Sequence, residues 1–339
     1  MDDTGVNTCI DKVLFDMDGV ITSEKGYWYS AAMTVYEKIF EELSVNWCEE
    51  NVDEISLEIF NNDNVILNLK NLGVNTNWDL AYLVYLASII GKAEGLDNEE
   101  LWNFVDNYFE EIQIKAPDIY DYVANEAEEL YNFSHEYTKR GGELWNELCD
   151  LFQHWYLGDE GYEKIYNKKP SGTLGKTGFI NKETPIVDFD DLIELFEYLK
   201  EKGYKLGIGT GRNDYEVSVP LMSWDILKYF DKESIVTYDT VTNAEKSSGG
   251  KTLSKPHPYV FIKAGINIKD EDITDEICGD HSNILVVGDA GADILSAKAA
   301  KMKFAAVLTG IGGSDAYDYF DEMGADYILD SVIELKYIL

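Results

Sequence analysis

The run Val13-Leu14-Phe15-Asp16-Met17-Asp18-Gly19-Val20 decides how this chain is read. Val13, Leu14 and Phe15 form a short apolar run, as a strand covered on both faces requires, and it stops at a carboxylate. Open sheets of parallel strands bind their ligands beyond the carboxyl ends of the strands. Asp16, with Asp18 two residues on, is therefore a candidate for chemistry. Asp-x-Asp-Gly also suits an ordinary turn, so the rest of the chain has to decide.

From about Asp188 onward the same kind of strand recurs. Lys205 to Ile208, Ile284 to Val287, Phe304 to Leu308 and Tyr327 to Leu329 read as strands, with helix patterns between them such as Leu192, Ile193, Leu195, Phe196 and Leu199, stopped by Gly203. Strands alternating with helices imply an α/β, Rossmann-like core of three layers with a parallel sheet. The stretch between differs. It is rich in Trp, Tyr, Phe, Glu and Asn, and Trp78 to Ile90, Glu99 to Ile112 and Leu144 to Tyr156 carry helical spacing. It reads as an all-helical domain, 27–184, inserted after the first strand, so the core is discontinuous, 1–26 and 185–339. The Gly- and Lys-containing loop 167–185 is expected to be a flexible connection.

Three later elements decide what Asp16 is for. The second strand ends in Gly209-Thr210-Gly211-Arg212, a loop carries Lys255-Pro256-His257-Pro258, and Ile284 to Val287 runs into Gly288-Asp289-Ala290-Gly291-Ala292-Asp293. With the first run, these four elements in this order resemble the four signature motifs of the haloacid dehalogenase-like superfamily, over roughly residues 11–25 and 185–335. The place of the insert resembles that of a C1-type cap. Each element alone also has a plain reading: a turn at Thr210-Gly211, a solvated Lys255, an N-cap at Asp289 for a helix running to Met302.

The chemistry suits the residue types. A carboxylate can attack a phosphoryl group and split hydrolysis into two displacements, and a second carboxyl group can protonate the leaving oxygen and later deprotonate water. The resemblance gives the first role to Asp16 and the second to Asp18. Two anions beside an incoming phosphate call for a hard cation, and Mg²⁺ suits carboxylates with phosphate oxygens. The resemblance implies Asp16, the Asp18 backbone carbonyl and Asp289 as its ligands, with Asp293 either a further ligand or a support behind them. Thr210 and the N–H groups around Gly211 would meet the other phosphoryl oxygens, and Lys255 would pair with Asp16 and phosphate, with Lys251 the alternative. Arg212 holds either a substrate anion or a neighbouring carboxylate. The expected activity is a Mg²⁺-dependent phosphatase of a small phosphorylated metabolite. The alternatives are a phosphomutase of the β-phosphoglucomutase kind and an inactive binding protein on the same fold.

Composition narrows the partners. With 28 Lys plus Arg against 64 Asp plus Glu the formal charge is −36, which argues against a nucleic acid or an anionic membrane. No apolar run is long enough to span a bilayer and the first residues do not read as a signal peptide, so a cytoplasmic protein is expected. The oligomeric state stays open. Cys9, Cys48, Cys149 and Cys278 are far apart, without a CxxC pair, which fits buried thiols rather than a zinc site or a disulfide framework. Gly172-Thr173-Leu174-Gly175-Lys176-Thr177 looks like a phosphate-binding loop, but Pro170 stands where the first Gly belongs and no strand precedes it. It reads as a hinge. His135, His154, His257 and His281 lack the spacing of metal ligands. Lys139-Arg140 and Lys168-Lys169 read as solvated surface, with contact to a substrate anion the alternative.

Overall fold

A computed structural model describes residues 10–40, 43–74, 76–269 and 279–339. The chain divides into two compact units, one of residues up to Glu24 together with Glu183–Leu339, the other Lys25–Lys182. Among the described residues no helix is long and apolar enough to cross a membrane.

The first unit is built on a parallel sheet of β1 (Lys12–Phe15), β2 (Lys205–Gly209), β3 (Ile235–Val236), β4 (Ile284–Gly288), β5 (Lys303–Val307) and β6 (Tyr327–Leu329). The spatial order is β3-β2-β1-β4-β5-β6. The chain leaves β1 for one side of the sheet and later returns to its other side, so the strand order reverses at β1. That reversal opens a crevice beyond its carboxyl end. Register places Phe15 level with Ile208 on one side and Val287 on the other.

Alternation along each strand fills two cores. Val13, Phe15, Leu206, Ile208, Leu285 and Val287 pack with Leu192, Leu195, Phe196 and Leu199 of the helix Phe189–Glu201. Leu14, Val286, Phe304 and Ala306 face the helices Tyr259–Ile266 and Gly291–Ala299. Each such buried Leu, Ile, Val or Phe contributes roughly 1.5–3 kcal/mol, so this layer is held firmly under the strand ends. The helix on the second face comes close because β2 carries glycine there: a Cβ on Gly209 would lie 2.8 Å from the Phe261 ring. β3 has only two residues, too few for an apolar run, and sequence reasoning passes over it.

The second unit is helical. Its long elements are Lys25–Ile39, Asn77–Ala93, Asn98–Glu111, Asp118–Tyr131 and Glu143–Tyr166. The last is two helical stretches: Gly158 (φ 74°, ψ 174°) breaks it two residues past the expected Tyr156, and a second stretch continues to Tyr166. A Cβ at Gly158 would lie 2.7 Å from the Thr177 carbonyl group, and one at Gly178 would lie 2.5 Å from Leu157 backbone. Two glycines thus let the backbones cross.

The loop expected to be a hinge is pinned. Gly175 and Lys176 N–H groups donate to Asp159 at 2.7 and 3.2 Å, and Thr177 donates to Glu49 through its N–H and its hydroxyl. Lys176 is buried against Glu37 at 3.0 Å. Cys48 is buried and Cys149 partly so, both as free thiols; Cys9 and Cys278 lie outside the described residues.

Candidate active site

Three strand ends deliver the side chains. Asp16 follows β1 by one residue, with its N–H on the Val287 carbonyl at 2.9 Å; Thr210 follows β2 likewise, with its N–H on Val236 at 3.0 Å. Both are therefore fixed by the last rungs of the ladder. Asp289 follows β4, and Asp293 lies in the first turn of the helix Gly291–Ala299. The N-cap there is Ala290, whose N–H donates to Asp293 Oδ2 at 3.2 Å. Asp289 is thus free of the capping task that its sequence position suggested, and the helix ends at Ala299 instead of Met302.

Lys255 reaches the cluster from the loop before Tyr259–Ile266. Its Nζ lies 2.9 Å from Asp16 Oδ1 and 2.7 Å from Asp293 Oδ1. The Ser296 hydroxyl donates to the His257 carbonyl at 2.9 Å and ties this loop to the helix carrying Asp293. Lys251, the alternative, is exposed. One carboxylate oxygen from each of Asp16, Asp289 and Asp293 lies within 4.8 Å of the others.

Glycines make the room. A Cβ on Gly19 or on Gly310 would sit 2.2 Å from Asp289 Oδ2, and Gly19 has φ +70°, a conformation most side chains resist. Thr309 donates its hydroxyl to the Gly19 carbonyl.

The electrostatics follow from four carboxylates around one lysine. Burial pushes Asp16 up to about 7; Lys255 opposes this, while Asp293 and Asp18 add to it. Burial, then Asp293, Asp16, Glu24 and Asp18, raise Asp289 well above the usual carboxylate range. Lys255 is held charged: burial works against its ammonium, but Asp16 and Asp293 outweigh it. An excess of negative charge in so small a space fits a divalent cation with oxygen ligands, which would restore both carboxylates to their ionised forms. The donor set and the glycine-lined space around Asp289 therefore suit Mg²⁺.

Arg212 goes to a carboxylate. Its Nε lies 3.1 and 3.2 Å from the two Asp18 oxygens and its Nη2 2.6 Å from Oδ1. Nη1 donates to Glu183 at 2.8 Å. The substrate-anion reading of Arg212 finds no support in this geometry. Gly211 is exposed, with open space where a Cβ would point, and Thr210 Oγ1 accepts the Arg212 N–H at 3.2 Å, which leaves the hydroxyl proton to donate. Glu216 is pushed up to about 7, by burial first and against Arg212.

Thr22, Glu183, Glu216 and Thr309 escape sequence reasoning. The contacts of Thr22 and Glu183 with Arg212 and of Thr309 with Gly19 join segments distant in the chain, and these three residues stand in no recognisable motif. Glu216 alone had a local signal, as N3 of the capping box that Asn213 begins.

Of the basic pairs of the second unit, three of the four residues meet a carboxylate of that unit. Arg140 forks onto buried Asp79 at 2.8 and 2.9 Å, and Lys168 pairs with Asp150 at 2.7 Å. Lys139 pairs with Glu136, and Lys169 is exposed.

Residues 10–301 match the family model described as haloacid dehalogenase-like hydrolase. Two curated proteins named pyrophosphatase PpaX, from Bacillus cereus (strain B4264) and Bacillus mycoides (strain KBAB4), are 29% and 28% identical over 156 residues, 45% of this chain. The matched stretch spans 60% of their length. An X-ray structure of a Northeast Structural Genomics Consortium target is 28% identical, with a TM-score of 0.82 over 97% of this chain and 98% of that one.

Proposed function

The chain belongs to the haloacid dehalogenase-like hydrolases, and from that premise we propose that it is a Mg²⁺-dependent phosphatase that hydrolyses a small phosphorylated compound through an aspartyl-phosphate on Asp16. The observation that carries this is the convergence of Asp16, Asp289 and Asp293 on one another at the end of β1, with Lys255 on Asp16 and Asp293 and with Asp18 two residues on.

In the first displacement an Asp16 oxygen attacks phosphorus, the bond to the leaving oxygen breaks, and Asp18 donates a proton to that oxygen. In the second, Asp18 takes a proton from water, the water oxygen attacks phosphorus, and the bond to Asp16 breaks to release orthophosphate. The Thr210 hydroxyl, the backbone N–H groups around Gly211 and the Lys255 ammonium meet the non-bridging oxygens, where the transition-state charge spreads. Mg²⁺, which Asp16, Asp289, Asp293 and the Asp18 carbonyl would hold, would supply charge neutralisation for the carboxylates and the phosphoryl group.

Every group this chemistry needs comes from the unit built on the sheet. Substrate choice is therefore assigned to the helical unit Lys25–Lys182, in the role of a cap. The name of the Bacillus relatives makes inorganic pyrophosphate one substrate to include. The test is orthophosphate release from a panel of pyrophosphate, sugar phosphates and other small phosphate esters with Mg²⁺. Hydrolysis of at least one, abolished in Asp16→Asn and shifted to higher Mg²⁺ in Asp289→Asn, is expected. Undiminished hydrolysis by folded Asp16→Asn would reject the reading.

A further inference from the structure

The mechanism leaves two buried charges without a task. The side chains of Arg212 and Glu183 are both 1% exposed. A guanidinium withdrawn from water is costly unless its donors are met, and a pair buried only for stability is often no better than apolar residues of the same volume. Arg212 is met on every side. Its Nη1 is fixed by Glu183 Oε2 at 2.8 Å and the Glu216 carbonyl at 3.2 Å, and Nη2 by Thr22 Oγ1 at 3.0 Å. Nε and Nη2 then hold the Asp18 carboxylate, which remains 29% exposed. One end of the fork is anchored; the other presents Asp18.

The anchor belongs to the same rigid piece of backbone as the turn it serves. Thr22 bridges to Pro185, the Ser23 N–H donates to Thr184 at 3.0 Å, and the Ile186 N–H donates to Ile21 at 3.0 Å. Those bonds clip the segment carrying Glu183 to the turn carrying Asp18.

We propose that Arg212 is a positioning residue that holds the Asp18 carboxylate for proton transfer, and that Glu183 is the anchor that aims Arg212. The proposal rests on the reading of Asp18 as the acid and base of the reaction. A phosphate oxygen would have to displace Asp18 to reach the same nitrogens, so Arg212 acts on the reaction through Asp18 and does not touch the substrate.

The test combines kinetics with structure. In Glu183→Gln, kcat for an aryl phosphate should fall about 10- to 100-fold, the loss typical of a misplaced catalytic group, with KM and the Mg²⁺ half-saturation within twofold of wild type. Arg212→Lys, which keeps the charge but not the fork, should behave alike. The two changes together should cost no more than the larger single loss, since both act on one carboxylate. The pair Glu183→Gln/Arg212→Met, which leaves neither charge buried alone, serves if a single variant is unstable. An Arg212→Lys that raises KM with kcat unchanged would overturn the proposal in favour of a substrate contact, and a Glu183→Gln with wild-type kcat would overturn the anchor. Crystal structures of wild type and Glu183→Gln give a readout independent of turnover. Asp18 should lie on Arg212 in the first and leave it in the second; the same Asp18 seat in both would overturn the anchor. A wild type inactive towards aryl phosphate, but with Asp18 leaving its seat in Glu183→Gln, would count against the phosphatase reading and not against the positioning geometry.

Discussion

Lys255 and Lys176 are both nearly withdrawn from water and both sit on carboxylates, yet their surroundings differ in kind. Lys255 bridges Asp16 and Asp293, with Asp289 and Asp18 close by, and its side chain is 12% exposed. Lys176, in the helical unit, is 0% exposed; it meets Glu37 at 3.0 Å, His154 Nδ1 at 3.3 Å and the Thr173 carbonyl, over the Trp155 ring at 4.5 Å. The same His154 meets Asp159 through Nε2 at 2.7 Å. Around Lys255 negative charge is in excess, and with burial it lifts Asp16 and Asp289. Around Lys176 the carboxylates are met by donors, Glu37 by the ammonium and Asp159 by N–H groups and His154. Burial would raise Asp159, but the Gly175 N–H, His154 and the Lys176 N–H together hold it below the usual carboxylate range. A carboxylate cluster left without donors at open strand ends calls for a ligand cation and a reaction; one whose carboxylates are met by donors holds a loop in place.

The two clusters should break differently. Asp16→Asn removes the nucleophile and keeps its shape, so turnover should drop by about 10⁴-fold or more while thermal stability changes little; phosphate release and circular dichroism on one sample check this. Lys176→Met leaves Glu37 buried without its cation and should destabilise the protein by about 3–5 kcal/mol, read as a lower denaturant midpoint. In the folded protein kcat should stay within twofold. A stable Lys176→Met with lost activity would show that the helical cluster takes part in the reaction.

A smaller effect is expected at Arg140. Against the upward push of burial, bonds from Arg140, Trp145 and Thr76 hold Asp79 below the usual carboxylate range. A depressed carboxylate contributes stability above its unfolded pKa of about 4, and that contribution is lost as pH falls through the folded value. Arg140→Ala should therefore cost about 1–3 kcal/mol near neutral pH, and the difference from wild type should shrink in acid. Denaturant midpoints at pH 7 and pH 3 measure it. A rise in KM with unchanged stability would return Arg140 to the substrate.

Much of this was legible in the chain. β1, β2, β4, β5 and β6 show as apolar runs because both faces of the sheet are covered, and Asp16, Thr210, Lys255 and Asp289 stand where those runs or the third motif put them. β3 is too short to read. The pinned state of loop 167–182 depends on Asp159, Glu37 and Glu49, whose carboxylates reach it across the fold, so its glycines suggested freedom where they serve close approach. Arg212 was legible as a cation near the site, but its partner was not: Glu183 is 29 positions away in the chain, and only the folded backbone brings them together.

The aspartyl-phosphate on Asp16 is a covalent bond that can be trapped. Rapid acid quench of the protein during turnover of a hydrolysed, phosphorus-labelled substrate with Mg²⁺, followed by peptide mass spectrometry, locates any trapped phosphoryl group. Label is expected on Asp16, absent in Asp16→Asn and absent without divalent cation. Steady turnover with no trapped label, in wild type and in a variant slowed at Asp18, or label on another residue, would contradict it.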